Sequence, residues 1–112
     1  MIKFRVRDEQ SAKELLHVLV WDLVNPSDIV VVSSSLDKTK KLLYSTYSKD
    51  SIWTEFKDGY INVRYANHFI WACPYYAIIG IMDGCAFSEK TIVICISEGI
   101  SDEDLRLFNS TY

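Results

Sequence analysis

The sequence predicts a single α+β domain: a mixed sheet of about six strands, an N-terminal strand–helix–strand crossover followed by an antiparallel meander, with two to three helices packed mainly on one face. Three observations predict it. Residues 2–32 change from period-2 alternation to helical spacing and then to a short apolar run. Asp58-Gly59 separates two alternating segments. Residues 69–82, FIWACPYYAIIGIM, form the most apolar stretch, which the rest of the chain is built to cover. A chain of 112 residues can bury one core without disulfide or metal staples.

Ile2, Phe4 and Val6 alternate with Lys3, Arg5 and Arg7, the mark of a strand with one wet face, placed near a sheet edge. Asp8 can cap a following helix whose apolar stripe is Ala12, Leu15, Leu16, Leu19 and Leu23, and Asn25-Pro26 stops it. Residues 29–32 are apolar between turn signals, hence a buried strand reached by a right-handed parallel crossover. Ser33-Ser34-Ser35 leads into a second helix over 36–47, with Leu36, Leu43 and Tyr47 inward and Lys38, Lys40, Lys41 and Lys49 around them.

Asp58-Gly59, between IWTEFK and YINVRY, predicts a two-residue hairpin turn. The register then follows. Phe56 with Ile61, Thr54 with Val63 and Ile52 with Tyr65 share the core face. The outer face carries Trp53 opposite Arg64, Glu55 opposite Asn62 and Lys57 opposite Tyr60. Asn67-His68 turns the chain into the apolar stretch, which Pro74 breaks into strands over 69–73 and 75–82. The second is apolar on both faces and reads as the central strand. Residues 91–96 give another strand of the meander. Ser101 caps a last helix, with Asp104 completing a capping box and Ile100 stapled to Leu105.

Composition narrows function. The net charge of −3 argues against a nucleic-acid binder, and the acidic side is the C-terminal half: residues 51–112 hold 4 Lys and Arg against 8 Asp and Glu. A patch from the lysines of the second helix with Lys3, Arg5 and Arg7 is better read as a solvated face. Fourteen apolar residues interrupted by Pro74 and Gly80 fall short of the roughly 20 a membrane-spanning helix needs. The N-terminus does not resemble a signal peptide, and the odd set Cys73, Cys85 and Cys95 reads as buried thiols in a reducing compartment, so the expected location is the cytoplasm.

Chemistry-bearing constellations are sparse. His68, Cys73, Cys85 and Cys95 lack the close-paired spacing of a zinc site, and no metal or other cofactor is expected. A Cys/His enzyme would need His68 or His17 beside Cys73 or Cys85, perhaps with Tyr75, whereas the apolar setting of Cys73 works against a thiolate. The three serines could face an anion, yet a loop without glycine is better suited to capping. The remaining candidate is the outer hairpin face: Trp53, Glu55, Lys57, Tyr60, Asn62 and Arg64, an aromatic and arginine set of the kind that anchors protein interfaces. The expected function is a protein-binding module, such as an inhibitor, immunity-type or regulatory protein. Its acidic half would suit a basic partner, and its first or last strand could pair edge to edge in a homodimer.

Overall fold

The computed structural model describes residues 2–47, 51–57, 59–74 and 90–111. Their strands are β1 (Ile2–Val6), β2 (Asp28–Ser33), β3 (Ile52–Glu55), β4 (Ile61–Tyr65), β5 (His68–Pro74) and β6 (Ile92–Ile96), and their helices α1 (Glu9–Asp22), α2 (Leu36–Thr46) and α3 (Asp102–Thr111). The strands form one mixed six-stranded sheet in the order β1-β6-β2-β5-β4-β3. β1, β6, β2 and β5 run parallel, and β4 and β3 complete an antiparallel meander with β5.

The α+β architecture and the crossover β1-α1-β2 are as the sequence indicates, with one correction. β6 is not an extension of the meander: it lies between β1 and β2, parallel to both. All five of its residues are buried because helices cover both sides. Among the described residues the sheet edges are therefore β1 and β3, and β6, paired on both sides, has no free edge for a homodimer to use. The second strand expected over 75–82 falls outside the described residues.

One core holds Ala12, Leu16 and Val20 of α1 and Leu42 and Leu43 of α2 against Ile29, Val31, Ile61, Val63, Ile70, Ala72, Ile92 and Ile94. The other lies on the reverse of the sheet, where Leu105 and Phe108 of α3 meet Val30, Val32, Cys73, Val93 and Cys95. Local chemistry explains the helix starts. Asp8 accepts from the Ser11 amide at 2.9 Å, and Ser101 Oγ accepts from the Asp104 amide at 3.2 Å. Lys3 Nζ donates to the Phe108 and Asn109 carbonyls at 3.0 and 3.2 Å, placing a cation at the negative end of α3.

The hairpin register corrects a second expectation. Ile52 pairs with Arg64, Trp53 with Val63, Thr54 with Asn62 and Glu55 with Ile61. The Phe56 amide donates to the Tyr60 carbonyl at 2.9 Å, so the connection holds three residues instead of two, with Gly59 at φ +87°. Three-residue loops of this kind place glycine in the left-handed position. The two-residue turn with positive φ at both positions lies instead between β4 and β5, at Ala66 (φ 50°) and Asn67 (φ 67°). Because side chains alternate, a one-residue slip turns every residue of β3 to the other face.

Candidate functional site

The slip divides the six residues expected on the outer face. Trp53 and Glu55 point to the α1/α2 side, where Trp53 packs against the first core. Its indole meets the ring of Tyr44 on α2 at 4.8 Å, and Tyr44 Oη donates to Glu55 at 3.4 Å. A large indole gains more by this contact than Ile52 or Thr54 would, which accounts for β3 turning as it does. Trp53 is thus a packing residue under a helix of its own chain. Lys57 and Tyr60 flank the turn, Lys57 exposed and Tyr60 half-buried. Asn62 and Arg64 stand on the reverse face as expected, and Arg64 opposes Phe69 instead of Trp53, with its guanidinium 5.6 Å from the Phe69 ring centre.

What gathers around Asn62 and Arg64 is a different aromatic set. Phe56 and Trp71 come from strands on either side of β4 and stack with ring centres 5.3 Å apart and planes 26° apart. Trp71 Nε1 donates to Asp28 Oδ1 at 3.3 Å. Phe56, Phe69 and Ile52 are 41, 40 and 63 % exposed. Among the described residues, α3 packs on the β6/β2 part of this face and no helix packs on the β3/β4 part. Sequence reasoning missed Phe56, Phe69 and Trp71. Alternation along β5 puts Phe69 and Trp71 on one face, a signal that would have found them once paired with Arg64 and Asn62 on β4.

The other constellations resolve into structure. His68 and Cys73 sit at opposite ends of β5 and on opposite faces, roughly 16 Å apart by strand rise. His68 is buried, and its Nδ1 accepts from the Ser27 amide at 3.2 Å. Burial pushes the Cys73 thiol up to about 12 and, against the opposing pull of Arg5, the Cys95 thiol up to about 11. Both are inert as nucleophiles at neutral pH. Cys85 and Tyr75 lie outside the described residues. Among the described residues no group of three His, Cys, Asp or Glu side chains is placed to hold a metal.

The serines serve turn chemistry: Ser33 Oγ accepts from the Ser35 amide at 3.2 Å, and Ser35, at the N-cap of α2, makes no side-chain capping bond. Ser33 Oγ lies 2.6 Å from both the Ser35 carbonyl and Thr39 Oγ1, and Thr39 Oγ1 donates to the Ser35 carbonyl at 3.2 Å. Beyond the carboxyl ends of β2 and β6, where parallel sheets commonly bind ligands, the two connecting loops approach closely at one point: a Cβ on Gly99 would sit 2.9 Å from Ser34 Oγ. A cleft of about 510 Å³ opens at the other end of these strands, lined by Ile2, Asp22, Leu23, Asp28 and Thr91. The basic residues do not converge, because Lys3 reaches α3 on one side of the sheet and the α2 lysines lie on the other. No helix among the described residues is long and apolar enough to cross a membrane.

No family model matches this chain, and neither a curated protein nor a solved structure matches it.

Proposed function

We propose that this is a protein-binding module whose contact surface is the β3–β5 face on the side of Asn62, Arg64, Phe56, Phe69 and Trp71. One observation carries the reading: two phenylalanines and an isoleucine are held 40–63 % exposed on one sheet face, with an arginine over one of the rings. Keeping apolar surface wet costs about 25 cal/mol per Å², and contiguous patches of this kind mark interaction sites. Aromatic residues and arginine are also the side chains that dominate interface energetics. The cation shown within this patch, Arg64 over the Phe69 ring, fits an acidic contact segment. The acidic half, residues 51–112, suggested a basic partner, but its densest acidic run, the first turn of α3, belongs to the β6/β2 part of the sheet. An inhibitor, immunity-type or regulatory protein would act in this way, by occupying a partner's surface.

The test is site-specific. p-Benzoylphenylalanine at position 69 should crosslink one discrete partner in cells, and Arg64→Glu should abolish that crosslink while leaving the melting temperature within about 1 °C, as a surface substitution does. Diffuse crosslinking that Arg64→Glu leaves unchanged would defeat the proposal. Pairing of two β3 edges predicts self-crosslinking instead, and sedimentation as a dimer would identify it.

A further inference from the structure

The β3–β5 face contains one polar group that the fold leaves unserved. Asn62 is 6 % exposed, and its Nδ2 is buried without a hydrogen-bond partner. A stranded donor of this kind is costly, and asparagine is also a poor strand former, so neither packing nor propensity accounts for it. Its cross-strand neighbours are Thr54 on β3 and Trp71 on β5. Strands two apart are separated by about 9–10 Å. Trp71 is tied toward β2 by its bond to Asp28, so for the two rings to stack at 5.3 Å the Phe56 ring must reach across β4, beside Asn62. Phe56 is one residue beyond the end of β3 and 41 % exposed, which makes it the movable half of the pair.

We propose that this is a subsite for a proline-rich segment of the protein partner. Phe56 swings aside, a proline ring takes its place on Trp71, and a neighbouring imide carbonyl accepts the hydrogen bond that Asn62 Nδ2 lacks. This rests on the protein-binding reading of the same face. The occupant is chosen by chemistry. The site presents ring faces and, on β4, two donor groups, the Asn62 amide and the Arg64 guanidinium, while the carboxylate of Asp28 lies on β2, beyond β5. It therefore wants a ligand that is flat, rich in acceptors and poor in donors. A polyproline II segment fits: its carbonyls are exposed, its prolines have no N–H, and its low flexibility reduces the entropy lost on binding. Arg64 adds a preference for a flanking carboxylate.

The probe is an acetylated peptide of five prolines flanked by glutamates, titrated into the ¹⁵N-labelled full chain beside the same peptide with alanines for prolines. The Asn62 side-chain amide should shift saturably, with the proline peptide binding at least several-fold more tightly. Asn62→Val should raise the melting temperature, because the stranded donor is gone, yet weaken the proline peptide by about tenfold, the worth of one hydrogen bond. A purely structural asparagine would give the first effect without the second. Equal affinity for the two peptides, or unchanged affinity in Asn62→Val, overturns the proposal. If neither peptide binds while the position-69 crosslink persists, this inference falls and the protein-binding reading stands. Loss of both ends both.

Discussion

The ring of Trp53 rests on that of Tyr44 at 4.8 Å, so the hairpin's largest side chain anchors the edge strand to α2 instead of facing a partner. Trp53→Ala should therefore cost about 2–3 kcal/mol in urea denaturation, somewhat less than a fully buried aromatic, and Trp53→Phe much less. Crosslinking at position 69 should survive in the fraction that remains folded. An alanine variant as stable as the parent would show that the Tyr44 contact contributes nothing.

The turn joining β4 to β5 holds Ala66 and Asn67 at positive φ. A left-handed alanine is strained by roughly 1–2 kcal/mol, and Asn-Gly is the favoured pair for such a turn. Ala66→Asn combined with Asn67→Gly should stabilise the domain by about 1 kcal/mol, read as a higher urea midpoint at constant slope. A lower midpoint would mean that the pair is held by contacts other than its backbone.

Cys73 and Cys95, raised by burial to about 12 and about 11 from an ordinary 9.0, keep their protons in the folded state where the unfolded chain releases them. Their contribution to stability is therefore complete below pH 9 and declines as pH rises toward the folded values. Mass mapping after iodoacetamide at pH 8 should find both unmodified in the native protein and both modified in denaturant. Native modification at either position would contradict its burial. Cys73→Val should flatten part of the alkaline decline.

The backbone hydrogen bond from Ser11, followed by that of the Ser11 side chain, holds the Asp8 carboxyl below its ordinary 3.8. A depressed carboxylate stabilises above its unfolded value and loses that effect as pH falls through the folded one. Hydrogen exchange of the first turn of α1 should then accelerate, relative to Asp8→Asn, as pH drops below the ordinary aspartate range. Asparagine caps about as well and does not titrate there. Parallel profiles for the two proteins would remove the carboxylate from the account.

Features set by short-range chemistry were legible in the residues. The caps at Asp8 and Ser101, the alternation of β1 and the apolar run within β2 each depend on neighbours a few positions away. The position of β6 was not, because a strand's place in a sheet is chosen by distant partners. Its five buried residues do carry the mark of a two-sided strand, which the sequence reading attached to residues 29–32 and 75–82 but not to 91–96. The site was half legible for a related reason. Alternation along β4 put Asn62 and Arg64 on the face opposite Ile61 and Val63, as the structure has them, although Asn62 is buried there, whereas β3 depended on the length of its turn. One added residue there exchanged Trp53 and Glu55 for Thr54 and Phe56.

The insertion of β6 has a consequence for how the chain is made. Ile2 pairs with Ile92, and among the described residues β1 has no other strand beside it. A ribosome therefore releases β1, α1 and β2 long before the strand that must stand between the first and the third has been synthesised. Contacts so distant in sequence form slowly and leave apolar surface open in the meantime. A premature stop before residue 92 would leave β1 and β2 without the strand that joins them.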